Sequence, residues 1–137
     1  MQAICVFGLL FLAAVYGISV RPDQKIAVKG RLKCDGKPAE GIKVKLYDHD
    51  TFTLDDLIGE TKTGKDGAFE ISGDAHEITN ITPKINVYHK CDKVIPICDI
   101  KFSIEVPKKY IEKGEAFDAG ELNLEGKFEG QSTDCLN

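Results

Sequence analysis

Three histidines are the side chains of this sequence best suited to acid–base catalysis. His49 lies among acidic residues, His76 precedes a glutamate in a predicted loop, and His89 lies on a predicted strand. A Ser–His–Asp arrangement depends on geometry that a sequence does not reveal, and the chain contains no G-x-S-x-G turn of the kind that many hydrolases use. We therefore predict that the histidines are solvated or hydrogen-bonded, and that the protein is not an enzyme.

Four aspartates within nine residues form a candidate metal site. Hard cations such as Ca²⁺ bind several oxygen atoms at close quarters. The spacing resembles the start of an EF-hand loop, but the glycine and the final glutamate of that loop are absent. Two interpretations remain open, a calcium site and ordinary turn chemistry in which aspartate bonds its own backbone. No other cofactor is predicted. The residues are Asp48, Asp50, Asp55 and Asp56.

Basic residues are concentrated near the start of the predicted domain. Residues 24–47 contain seven Lys or Arg against two acidic residues, whereas the whole chain has a net charge of −4. The acidic total argues against a nucleic-acid binder. Each basic side chain near an anionic membrane surface contributes about 1 kcal/mol, so this segment could dock weakly on phospholipid headgroups. Alternatively, the alternating lysines only solvate an outer face and protect a sheet edge.

The first 17 residues are uncharged and typical of a secretory signal peptide. Their apolar run, from Ile4 to Val15, is shorter than the roughly 20 residues that a membrane span needs. We predict a signal peptide at residues 1–17 and one domain at residues 18–137, with no transmembrane span. A secreted chain would also meet the glycosylation machinery, which makes Asn80 in the Asn-Ile-Thr triplet a candidate acceptor.

The cysteines agree with export from the cell. Cys5 lies in the predicted signal peptide, and the remaining four predict two disulfides. Three pairings are possible. Cys91 and Cys98 flank a hexapeptide, which favours a bridge across the base of a hairpin and leaves Cys34 to pair with Cys135. A zinc site is not favoured because the spacing contains no C-x-x-C.

The rest of the chain alternates apolar and polar residues, a pattern that indicates half-buried strands. Turn residues separate about seven such segments, so we predict an all-β, antiparallel β-sandwich. The sequence after Pro107 predicts one helical turn at residues 108–113. The predicted strands are residues 25–34, 42–47, 57–62, 68–72, 85–90, 100–106 and 117–124.

Six short segments follow one another along the chain: GRLKC at 30–34, VKLYDHD at 44–50, DDL at 55–57, GAF at 67–69, PKINVYHKC at 83–91 and GELNL at 120–124. In this order they resemble the nematode transthyretin-like secreted family. The resemblance implies a transthyretin-type (prealbumin-like) sandwich of two sheets. It also implies that the first two strands lie in opposite sheets, which would leave four basic residues as one cluster: Lys25, Lys29, Arg31 and Lys33.

The resemblance implies an extracellular binding or bridging protein. One role proposed for the family is to link anionic phospholipid, phosphatidylserine, on dying cells to a phagocyte receptor. The gap at residues 92–97 is too short for the helix of transthyretin itself, so the tetramer and its hormone channel are not implied, and we expect a monomer or homodimer. A carrier of a small apolar ligand is the alternative function.

A hydrolase is the third hypothesis. A related branch of the fold hydrolyses 5-hydroxyisourate with histidines, an arginine and a C-terminal Tyr-Arg-Gly-Ser. This chain ends differently and has only two arginines, Arg21 and Arg31.

Overall fold

The computed structural model describes residues 24–49, 54–75 and 82–137. The predicted signal peptide, Asp50, His76 and Asn80 lie outside the described residues. Within these ranges no helix is long and apolar enough to cross a bilayer. The elements are β1 Gln24–Cys34, β2 Lys37–Pro38, β3 Lys43–Asp48, β4 Asp56–Lys62, β5 Ala68–Ala75, β6 Pro83–His89, β7 Asp99–Glu105, α1 Lys108–Lys113, β8 Phe117–Asn123 and β9 Ser132–Asp134.

The strands form two sheets that face each other. In the first sheet, β5 and β2 pair with β1 along one edge and β8 pairs with β1 along the other; the second sheet has the order β4-β3-β6-β7-β9. The β1–β8 pair is parallel, and the chain reaches β8 from β7 of the second sheet through α1 and its flanking turns. The predicted all-β sandwich and the helical turn are confirmed, and β2 and β9 are additional short strands.

The core is built from the alternate apolar residues of the strands, which face inward between the two sheets. Ile26, Val28 and Leu32 of β1 are at most 2% exposed, while the intervening side chains face outward. The second sheet contributes Val44, Leu46, Ile85, Val87 and Phe102 to the same layer. Burying one such side chain stabilises the folded state by about 1.5–3 kcal/mol, so this layer is the main source of stability.

On one side of the sandwich, the backbones of β4 and β5 come close enough that only glycine fits. A Cβ atom at Gly59 would lie 2.8 Å from the carbonyl oxygen of Ser72, and one at Gly73 would lie 2.9 Å from the carbonyl carbon of Ile58. Both neighbouring groups belong to the backbone and cannot rotate away. These two glycines therefore allow strands of opposite sheets to contact each other directly.

Two disulfides are present, as predicted, but the predicted pairing is wrong. Cys34 pairs with Cys91, and Cys98 pairs with Cys135. The antiparallel β6–β7 ladder ends at His89, so no strand pairing holds Cys91 opposite Cys98. Instead, Cys91 meets the end of β1 in the other sheet. Cys98 directly precedes β7 and Cys135 directly follows β9. The two cysteines meet because β9 pairs with β7.

His89 is a buried polar residue at the end of the core. Its ring is 2% exposed and contacts Phe102 edge-on, at 5.9 Å between centroids. Its Nδ1 accepts a hydrogen bond from the backbone N–H of Cys91 at 3.1 Å. Because Nδ1 acts as an acceptor, Nε2 carries the proton of the neutral ring, and within the described residues this buried Nε2 has no hydrogen-bond partner. Burial lowers the pKa of His89, and the charge of Asp99 offsets part of this shift.

We predict that Gly73→Ala lowers the free energy of unfolding by about 1–3 kcal/mol or more, because the added methyl group overlaps the Ile58 backbone. Gly64→Ala is the matched control, since its Cβ meets nothing nearer than the Asp66 carboxylate at 3.5 Å. Urea denaturation of both variants measures the difference. Equal stability of the two variants would contradict the close approach of β4 and β5.

We also predict that acid destabilises the protein through His89. The folded pKa lies below that of the unfolded histidine, about 6.5, so the unfolded chain takes up a proton first. Stability is therefore full above about pH 6.5 and falls as the pH drops towards the folded value. His89→Asn keeps an acceptor near Cys91 but should reduce the loss between pH 7 and pH 5, whereas His49→Asn, on the surface, should retain it. An unchanged pH dependence in His89→Asn would refute this role.

Candidate functional site

The predicted basic cluster lies on the outer face of the first sheet, and each of its members has a carboxylate nearby. Arg31 approaches Asp66 at 3.8 Å, and Lys33 Nζ lies 3.2 Å from Glu121. Strand register sets three further pairs: Lys29 is opposite both Glu70 of β5 and Asp118 of β8, and Lys25 is opposite Asp74. The structure thus keeps the four cations on one face, but it compensates much of their charge.

Strand pairing places Asp56 opposite Asp48, but among the described residues the predicted calcium ligands do not gather their carboxylate oxygens into one group. Asp48 is buried, and its Oδ1 accepts the backbone N–H of Thr82 at 3.1 Å. The two oxygens of Asp55 contact His49 Nδ1 and Lys84 Nζ, each at 2.9 Å. Asp56 is exposed at the start of β4. For Asp48 the structure favours backbone capping, and for Asp55 it favours ion pairing.

The outer face of the second sheet contains a buried polar chain that the sequence did not reveal. Ser103 Oγ donates to Asn86 Oδ1 at 2.6 Å, and Asn86 Nδ2 donates to the Tyr88 hydroxyl at 3.3 Å. The ammonium group of Lys45 lies 5.5 Å from the Tyr88 ring centre. Burial raises the pKa of Tyr88, which keeps the phenol protonated and makes it a weaker nucleophile. The side chains of Ser103, Asn86 and Tyr88 satisfy one another's polar groups, and none of the three is activated for catalysis.

The two disulfides anchor one end of the sandwich. The loop at residues 92–97 begins after Cys91, which is bonded to Cys34, and ends before Cys98, which is bonded to Cys135. At its root, the backbone N–H of Lys93 donates to the carbonyl of Lys90 at 3.1 Å. The loop is therefore covalently tied to the first sheet on one side and to the C-terminal segment on the other.

This loop exposes several apolar side chains. Val94 is 96% exposed, Ile95 64% and Ile97 80%. Leu136, next to the bonded Cys135, is 96% exposed. We call these four residues the aliphatic tip. Sequence reasoning treated the hexapeptide only as a hairpin connection; the signal it overlooked is a run of aliphatic residues, without alternation, between two cysteines.

Two carboxylates lie beside the Cys34–Cys91 bridge, each on the residue that follows a bonded cysteine. Asp35 and Asp92 both have a positive φ, 51° and 59°, and potential ligand atoms of Cys34, Asp35, Cys91 and Asp92 lie within 4.8 Å of one another. A hydrogen bond with Asp92, followed by desolvation and by charge repulsion from the same residue, raises the pKa of Asp35. Both sulfur atoms are committed to the disulfide, so this group offers two carboxylates and no thiolate.

Comparison with known proteins agrees with this architecture. A model of the transthyretin-like family matches residues 29–107. Two similar proteins come from Caenorhabditis elegans. Transthyretin-like protein 5 is 44% identical over 134 residues, covering 94% of this chain and 96% of the relative. Transthyretin-like protein 33 is 38% identical over 138 residues, covering 97% and 96%.

Among solved structures, a 9R-lipoxygenase from Cyanothece has a similar fold over 85% of this chain and 20% of its own. The TM-score is 0.52 and the sequence identity is 20%, which indicates a likeness of fold alone. The family match and the relatives extend over most of the β-sandwich, including β1, β3 to β7 and the segment after Cys91. The chain therefore belongs to the transthyretin-like family.

Proposed function

We propose that this protein is a secreted, non-enzymatic binding protein that recognises cell surfaces. The observation that carries the proposal is the pair of disulfides that anchors one exposed end of the sandwich. Disulfides form and persist mainly in oxidising compartments such as the extracellular space. A rigid end of this kind presents side chains for binding without the cost of ordering a flexible loop.

The ligand we propose is anionic phospholipid, phosphatidylserine, with a cell-surface receptor as a second partner. Lys25, Lys29, Arg31 and Lys33 share one face of β1 and supply the positive charge. Exposed ion pairs contribute only about 0–1 kcal/mol, so phosphate groups can replace the neighbouring carboxylates. The same carboxylates weaken the attraction between the basic cluster and the phospholipid headgroups. Binding through the basic cluster is therefore expected to be weak and sensitive to salt.

No specific observation favours the alternative function, carriage of a small apolar ligand. Such a function needs an enclosed apolar cavity. In the part of the chain that the structure describes, the space between the sheets is filled by core side chains, among them Phe102, Leu32 and Ile85, which are at most 1% exposed. Phe102 also stacks on Phe128 at 3.8 Å between ring centres.

We predict that the full chain, expressed in animal cells, is released into the medium with its N-terminus near Ile18. Peptide mapping without reduction should recover Cys34 joined to Cys91 and Cys98 joined to Cys135. A glycan on Asn80 belongs to the same proposal, and Asn80→Gln should remove its mass. Retention inside the cell with free thiols would contradict the proposed location.

We predict that the purified protein binds vesicles of phosphatidylserine and phosphatidylcholine but not vesicles of phosphatidylcholine alone. Binding should weaken as NaCl is raised from low to high concentration. Lys29→Glu combined with Arg31→Glu should weaken binding about tenfold or more, because two favourable charges become repulsive. Lys108→Glu combined with Lys113→Glu, on exposed positions of α1, is the control with the same change in charge. Equal binding to both vesicles, or to neither, would refute recognition by charge.

A further inference from the structure

We infer that the aliphatic tip, Val94, Ile95, Ile97 and Leu136, is a membrane-inserting element that enters the outer part of a lipid bilayer. This inference rests on the proposed recognition of cell surfaces and specifies how the protein holds the surface. Basic side chains select anionic headgroups, whereas the tip gains its free energy by leaving water for the apolar region of the bilayer.

The first argument is the exposure of the tip. Its members are 64% to 96% exposed, and they make up four of the six exposed large hydrophobic side chains among the described residues; the other two are Leu54 and Leu57. Leu136 is tied to the loop because Cys135, which precedes it, is bonded to Cys98, which follows Ile97, with 4.5 Å between the two cysteine Cα atoms. Clustered apolar exposure of this kind marks an interaction surface.

The second argument is the covalent anchoring of the loop. A free loop with three aliphatic residues could fold back onto the sandwich and bury them. Here both roots are fixed, by Cys91 to the end of β1 and by Cys98 to the segment after β9. The disulfides therefore limit the collapse of the loop and reduce the entropy lost when the tip binds.

The third argument concerns the chemistry of the partner. A standard protein interface buries about 800 Å² on each side, more than four small side chains at the end of a domain can supply, which argues against a second copy of this chain. Binding hot spots between proteins are enriched in Trp, Tyr and Arg, and the tip contains none of these. Aliphatic side chains need no directional partner, which suits them to hydrocarbon. Pro96 also lacks a backbone N–H that would otherwise have to be desolvated.

The charges near the loop limit how deeply the tip can enter. Asp35 and Asp92 are exposed at the loop root, and Lys93 follows Asp92. Lys90 forms an ion pair with Asp99. These groups remain at the level of the headgroups, so the inserted part is restricted to the tip, in line with the 5–10 Å depth of interfacial elements.

The test uses the full-length secreted protein and vesicles of phosphatidylserine and phosphatidylcholine. Val94→Ser, Ile95→Ser and Ile97→Ser combined should raise the lipid concentration for half-maximal binding at least tenfold, while the salt dependence persists. Leu57→Ser is the matched control, because Leu57 is 53% exposed and lies at the opposite end of the sandwich, near the start of β6. All of these positions are exposed, so the thermal midpoint of each variant should stay close to the original.

A fluorescence measurement reports insertion directly. The chain contains no tryptophan, so Ile95→Trp introduces a single reporter at the tip. Its emission should shift to the blue when vesicles are added and should be quenched by brominated acyl chains. The same reporter at the far end, Leu57→Trp, should show neither effect.

The outcomes separate the inference from the proposed function. If the original protein binds vesicles, and the triple serine variant binds as well while Ile95→Trp emission does not change, insertion is refuted and lipid recognition stands. If the tip variants bind protein-free vesicles normally but lose binding to cells, the tip contacts a protein and the inference is wrong. If the original protein binds no vesicle, the proposed lipid recognition itself fails.

Discussion

The burial of alternate side chains between two facing sheets is the constraint on which the rest of the molecule depends. Every second residue of β1, β3 and β6 enters one apolar layer, and a shift of one residue in any of these strands would place charged side chains in it. The layer therefore fixes the register of the strands. Once the register is fixed, the positions of the exposed lysines, the strand ends and the cysteines follow.

The disulfides have a local role in addition to their effect on stability. They join residues separated by 57 and 37 positions in the sequence, and the chain-entropy model assigns about 4 kcal/mol to each. Both are located at the same end, where β6 ends and β7 begins. The chain exposes aliphatic residues at this end and keeps its fold, because the two disulfides and the buried layer beneath stabilise the folded state. His89 joins the two regions, since its ring packs on Phe102 and its Nδ1 holds the backbone of Cys91.

The outer faces of the two sheets are polar, unlike the apolar end of the sandwich that contains the disulfides. On the first sheet, the basic cluster of β1 lies between acidic residues of β5 and β8. This face therefore has many charges, and its positive and negative charges nearly balance. On the second sheet, Asn86 and Tyr88 are buried in a self-satisfied chain of hydrogen bonds. Within residues 24–49, 54–75 and 82–137, neither face brings a histidine together with an activated nucleophile.

The sequence by itself determined the seven longer strands, the single helical turn after Pro107 and the presence of two disulfides, because each depends on local alternation, turn chemistry or the number of cysteines. Only the tertiary structure decided that Cys34 meets Cys91, that β8 runs parallel to β1, that Glu70 and Asp118 flank Lys29, and that Val94 and Leu136 are exposed together. The physical reason is that these contacts join residues distant in the chain. They depend on which strand edges become neighbours, and that choice is made by the packing of the whole sandwich.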